Sequence, residues 1–165
     1  LVEVGDSGDW SAWADLHSED GLWVERHLGT FVGREAIREA ILKVMVPVPM
    51  MVFPVGWHVI EGNRVVYYPW QAMPDPAGGD ADYRFGCVTI LEYAGAGRFS
   101  YQEDLYNPRE AEAMLKRWIQ AGGRLASRGQ PGRESMSREV DDPPPIQQGR
   151  RREPPLQRFL VQLGP

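Results

Sequence analysis

Glu25 and His27 sit two positions apart in an alternating apolar run from Leu22 to Leu28, and residues two apart on a strand share a face. A histidine there can give or take a proton near neutral pH. A carboxylate can do the same work once an apolar pocket surrounds it. The plainer reading makes His27 a rim or satisfied core histidine and Glu25 an outward side chain paired with Arg26 or Arg64. In a later run, alternation puts Gln102, Asp104 and Tyr106 on one face. Asp104 is then either an acid/base group or a cap for the helix that follows Asn107-Pro108. Cys87 has no base at a patterned distance and reads as a small core residue rather than a nucleophile. His17 and His58 carry no pattern. No ligand spacing suits a metal, so neither metal nor cofactor is expected.

The elements that must hold these residues follow from periodicity and punctuation. Apolar groups at Trp10, Trp13, Ala14 and His17 repeat at helical steps, which predicts a helix over 10–18 with Asp9 as its N-cap. Gly33-Arg34-Glu35 opens a second helix, buried along Ala36, Ile37, Ala40, Ile41, Val44 and Met45 and ended by Pro47. Strands then run from Trp57 to Glu61, turn at Gly62-Asn63, and continue from Val65 to Met73. Pro74 to Asp80 reads as a loop, Tyr83 to Tyr93 as a long strand, and Phe99 to Tyr106 as another. A last helix, Arg109 to Ala121, starts at Pro108 and stops at Gly122-Gly123. The order α–β–α–β–β–β–β–α implies an α+β fold. Its expected form is a cone-shaped curved antiparallel sheet with helices packed on its concave face. Every second strand residue would line the mouth of the cone.

Charge and composition divide the chain. Residues 1–123 hold 10 Lys+Arg against 18 Asp+Glu and all six tryptophans, whereas 124–165 hold 8 Arg, 5 Asp+Glu and 7 of the 14 prolines. The second stretch has too little apolar area to offset its ordering entropy. It is expected to be a Pro/Arg-rich, mostly irregular tail behind a folded domain spanning 1–123. Arg150-Arg151-Arg152 reads as a solvated run, with an acidic surface or nucleic acid as the alternative contact, and Leu156 to Val161 as a segment apolar enough to dock. The net charge of −5 argues against nucleic acid as a partner. The longest uncharged run, Val44 to Val59, is broken by three prolines and a glycine and cannot be a membrane span. The start Leu1-Val2-Glu3-Val4-Gly5-Asp6 has no basic leader region, and a cytoplasmic protein is expected.

Three segments together resemble a known family: Leu1 to Asp6, then Ser18-Glu19-Asp20-Gly21-Leu22-Trp23-Val24-Glu25, then Gly33-Arg34-Glu35-Ala36-Ile37. With Gly97-Arg98-Phe99 and Asp104-Leu105-Tyr106-Asn107 they are similar to the ketosteroid-isomerase and polyketide-cyclase (SnoaL-like) branch of the NTF2-like superfamily. The resemblance covers about 1–121. It implies a conical α+β fold, a small-molecule pocket, and commonly a homodimer joined through the outer face of the sheet. The superfamily hosts isomerases, cyclases, hydrolases, dehydratases and non-enzymes, so the fold alone does not deliver an activity. The family's first helix precedes a segment like Leu1–Asp6, which implies that most of that helix is missing here.

The resemblance also suggests roles. Five residues after Asp20, Glu25 falls where ketosteroid isomerases carry their catalytic carboxylate, a base that moves a proton next to a carbonyl. The family's oxyanion tyrosine belongs to the missing helix, and its second acid falls on Thr89, a weaker donor. That substitution argues against plain steroid isomerisation. Asp104 matches an acidic residue that cyclase and epoxide-hydrolase relatives direct into the cavity. Epoxide hydrolases also need an Arg and an Asp two apart on a middle strand, and Tyr68-Pro69-Trp70-Gln71 has neither. Glu25 and Asp104 in one pocket would push their pKa values apart, as an acid/base pair requires.

If Thr89 faces inward, so do Tyr83, Phe85, Cys87 and Leu91. The same parity on the neighbouring strand turns Val66, Tyr68, Trp70 and Ala72 inward, with Trp23 beside Glu25. The expected ligand site is therefore Trp23, His27, Tyr68, Trp70, Phe85, Thr89, Gln102 and Tyr106 around catalytic Glu25 and Asp104. Such a lining suits a flat or polycyclic apolar molecule, unless the same side chains fill the cone. Two function classes stay open. One is an isomerase, cyclase or dehydratase acting on a hydrophobic carbonyl compound. The other is a non-catalytic ligand-binding or dimerisation module.

Overall fold

The computed structural model describes residues 1–126; the expectations for 127–165, including the arginine run and the apolar end, lie outside the described residues. In chain order the elements are α1 (Val2–Ser7), α2 (Trp10–Asp15), β1 (His17–Glu25), β2 (Gly29–Val32), α3 (Arg34–Met45), β3 (Val55–Glu61), β4 (Arg64–Met73), β5 (Tyr83–Gly95), β6 (Arg98–Tyr106) and α4 (Pro108–Gln120).

Local signals account for most of this order. Asp9 caps α2 by accepting from the Ala12 N–H at 2.8 Å. α3 ends before Pro47 and buries Ile37, Ala40, Ile41 and Met45. Asn107 caps α4 by accepting from the Arg109 N–H, with Pro108 in the first turn, where a missing N–H costs nothing. Arg38 of α3 ties down α2, donating to the Ser11 carbonyl and to Asp15 Oδ1, each at 2.7 Å.

The N-terminal part of the chain departs most from expectation. The helix expected over 10–18 stops at Asp15, and His17 opens β1 instead. The Phe99 N–H donates to the Leu16 carbonyl at 2.8 Å, drawing that backbone onto β6. The strand expected to reach Leu28 ends at Glu25, where a turn begins: the Leu28 N–H donates to the Glu25 carbonyl. That turn returns the chain as β2, a four-residue strand too short to register as a pattern, and Trp23 pairs with Phe31. At the N-terminus, Val2–Ser7 forms a six-residue helix.

One six-stranded sheet results, in the order β2-β1-β6-β5-β4-β3. Neighbouring strands are antiparallel except β1 and β6, which run parallel, so the sheet is mixed. Register shifts interrupt the β1–β6, β3–β4 and β5–β6 ladders, and such bulges bend a sheet. The helices pack on the face that carries Trp23 and Phe85. α2 and α3 cover Trp23 with Trp10, Trp13, Ile37 and Ile41, while α4 covers Phe85 with Met114 and Trp118. The architecture is α+β, a curved sheet with helices on one face. No helix among the described residues is long and apolar enough to cross a membrane.

Candidate active site

Four adjacent strands present a transverse polar row. Glu25 on β1 is opposite Asp104 on β6, Asp104 is opposite Thr89 on β5, and Thr89 is opposite Tyr67 on β4. Residues opposite one another share a face, so all four side chains point to the helix-covered side. They border a cavity of about 110 Å³ that Trp10, Trp13, Ile41 and Phe53 close from above. Trp23 and Gln102 line it from the next row, and Tyr106 from the row on the other side.

Asp104 is the hub of this row. Its Oδ2 accepts from Trp23 Nε1 at 2.7 Å and from Gln102 Nε2 at 2.8 Å, and its Oδ1 accepts from the Thr89 hydroxyl at 2.6 Å. Burial raises its pKa; these donors oppose the rise and the Glu25 charge adds to it. Glu25 is 3% exposed. Its Oε2 accepts the His27 backbone N–H at 3.1 Å, while Oε1 is buried with no hydrogen-bond partner among the described residues. Beside it the Tyr106 phenol is held protonated, first by burial and then by the Glu25 charge. Burial, reinforced by the Asp104 charge, likewise raises the pKa of Tyr67. The Cys87 thiol, pushed up to about 12 mainly by burial, is inert. The site thus holds two carboxylates in different surroundings and two phenols fixed in the donor state.

Six of the expected residues line this cavity: Trp23, Glu25, Thr89, Gln102, Asp104 and Tyr106. Four do not. Tyr68 and Trp70 lie on the opposite face, where Tyr68 stacks on Trp57 and Arg84 sits over the Trp70 ring at 4.4 Å. The β4–β5 register pairs Tyr67, not Tyr68, with Thr89, and a one-residue offset turns every side chain of a strand over. Phe85 is on the inner face, but under α4 and away from the cavity. His27 is not on the strand face of Glu25. It lies in the turn after β1, exposed, with Nε2 3.2 Å from the Tyr106 carbonyl oxygen and its ring against Tyr106.

Tyr67, Gln71 and His17 are the residues that sequence reasoning missed. Tyr67 and Gln71 carried no usable signal, because parity between β4 and β5 depends on the 74–82 connection. The helical spacing of His17 from Trp13 and Ala14 places it on a helix, whereas it opens β1. It is fully buried, with Nε2 3.2 Å from Gln102 Oε1, and burial lowers its pKa.

Comparisons with known proteins agree with this architecture. TerC, solved with polyporic acid, aligns with a TM-score of 0.56 at 17% identity, covering 70% of this chain and 92% of TerC. A Shewanella putrefaciens protein assigned as a SnoaL-like polyketide cyclase aligns with a TM-score of 0.59 at 15% identity, over 70% of this chain and 80% of its own. An LEH-like epoxide hydrolase of M. tuberculosis aligns with a TM-score of 0.55 at 14% identity, over 73% and 86%. At such identities these structures share the fold and nothing finer. No curated protein sequence matches this chain. The family model described as the SnoaL-like domain matches residues 1–101, and the chain belongs to that family.

Proposed function

We propose that this protein moves a proton on a small hydrophobic carbonyl compound, as an isomerase, cyclase or dehydratase does. The observation that carries the reading is the row Glu25–Asp104–Thr89–Tyr67 facing one largely apolar cavity. Glu25 is the base. Its Oε1 has no donor in hydrogen-bond geometry among the described residues, while the Tyr106 phenol beside it interacts with the same carboxylate, so a lone pair on Oε1 remains available for a proton from the carbon next to the carbonyl. Asp104, with its raised pKa, is the acid that returns a proton. The Tyr67 and Tyr106 hydroxyls are the donors that stabilise charge developing on the carbonyl oxygen, in place of the family's own tyrosine and second acid. Thr89 donates to Asp104 rather than to a ligand.

Size narrows the substrate. Pockets for drug-sized ligands run to roughly 300–1,000 Å³, and an engineered apolar cavity of about 150 Å³ takes benzene. A cavity of about 110 Å³ therefore fits a reacting group of about one ring, with the rest of a larger ligand outside it. Steroid isomerisation is not part of the proposal. Epoxide hydrolysis is not either, since no arginine among the described residues lines the cavity. The polyporic acid held by TerC supports a small organic ligand in this fold.

The test is deuterium exchange at the carbon next to the carbonyl, followed by proton NMR with small cyclic ketones in heavy water. Exchange above the buffer rate is expected, with a loss on the order of 10²-fold or more in Glu25→Gln. A ketone that raises the melting temperature but exchanges no faster than in buffer would sink the catalytic part. It would leave a ligand-binding module, a reading favoured by the three donors that already occupy Asp104.

A further inference from the structure

The Gln102 amide bridges two buried groups. Its Nε2 donates to Asp104 Oδ2 at 2.8 Å, and its Oε1 lies 3.2 Å from His17 Nε2. An amide oxygen only accepts, so in this orientation His17 Nε2 must carry a proton. Burial keeps the imidazole neutral, so it has one N–H to place. His17 Nδ1 makes no hydrogen bond of good geometry among the described residues, although the Trp13 and Ala14 backbone carbonyls act on the ring, so the contact at Nε2 is the one that places the single N–H. Trp23 Nε1, which can only donate, meets the same Asp104 oxygen.

We propose that His17 is a positioning residue for Asp104: as the neutral Nε2–H tautomer it holds the Gln102 amide with its NH2 towards the carboxylate. Two consequences follow. Asp104 Oδ2 then receives two N–H donors that cannot accept, so the proton of the neutral acid sits on Oδ1, beside the Thr89 hydroxyl. Thr89 serves both states, donating to the carboxylate and accepting from the acid. Without the His17 N–H only the Asp104 carboxylate would hold the Gln102 amide in this orientation, and Gln102 could turn round when Asp104 is protonated. Its carbonyl would then face Asp104, favouring the protonated form. The role matters for catalysis only if Asp104 is the acid proposed above, but the geometry can be tested without turnover.

Nitrogen-15 spectra of the His17 ring in the full chain give the direct test. One protonated Nε2 and one bare Nδ1 are expected at neutral pH. The Nδ1–H tautomer, or a ring charged at neutral pH, would overturn the proposal. A second measurement follows the Asp104 carboxyl by carbon-13 titration. The titratable groups facing it are Glu25 from β1, Tyr67 from β4, Cys87 from β5 and Tyr106 of its own strand, so the titration is repeated in Glu25→Gln to keep the assignments separate. His17→Phe should raise the Asp104 midpoint by about one unit, and Gln102→Met should move it the same way. An unmoved midpoint in folded His17→Phe would refute the role. Should that variant not fold, the ring spectrum of the unaltered chain still decides. A chain with the expected tautomer and no ketone exchange would fail the proposed function and leave this inference standing.

Discussion

Asp104 is a buried carboxyl whose neighbours stabilise both of its states, and its raised pKa has a consequence for stability. A carboxyl with a folded pKa above its unfolded value, about 3.9, binds its proton more tightly when folded. The stability it contributes is full below the unfolded value and is lost as pH rises through the folded one. Asn at this position reproduces the neutral acid: its oxygen can accept from Trp23 and Gln102 while its NH2 donates to Thr89. Melting curves from pH 4 to pH 7 should therefore show Asp104→Asn gaining on the unaltered protein as pH rises. A constant or shrinking difference would contradict the burial argument. Asp104→Ala should instead lose stability at every pH, by about 1–3 kcal/mol for each donor left unpartnered.

At the scale of the element, the register of β4 decides which aromatic side chains meet the ligand. Tyr67 and Gln71 face inward, whereas Tyr68 and Trp70 build an aromatic ladder with Trp57 on the outer face. The Tyr68 ring lies across Gly86, where a Cβ would collide with its hydroxyl, so the strand needs a glycine there. Tyr67→Phe should lower the ketone exchange rate by about 10²-fold. Tyr68→Phe should leave both exchange and ligand-induced thermal shifts unchanged, and the reverse pattern would refute the register argument.

At the scale of the whole molecule, the described residues offer two surfaces of different character: the largely apolar cavity under the helices and the outer face of the sheet. The outer face exposes Trp57 (48%), Val59 (58%) and Leu105 (36%), joined across the sheet by Val66 and Ile90. Apolar strips of this kind favour association. A homodimer through this face is our reading of the assembly. Light scattering after size-exclusion should give twice the chain mass of 18.6 kDa and revert to the monomer in Trp57→Glu. A monomer at micromolar concentration in the unaltered protein would remove the dimer from the account.

What the amino-acid sequence determined by itself is local. Alternation within a strand put Trp23 with Glu25, Gln102 with Asp104 and Tyr106, and Cys87 with Thr89 and Leu91, and each pairing holds. Asp9, Pro47 and Pro108 marked helix ends because capping and the missing proline N–H act within one turn, whereas the cap of α4 is Asn107 and not Asp104. Tertiary structure alone decided the relations between strands. The parity of β4 against β5 rests on the closure of the 74–82 connection, and the parallel pairing of β1 with β6 joins opposite ends of the domain. His27 left the site because the chain turned one residue after Glu25, and His17 entered it because β6 captured the backbone beside it. The cavity volume, a small remainder between large packed side chains, has no local signature at all.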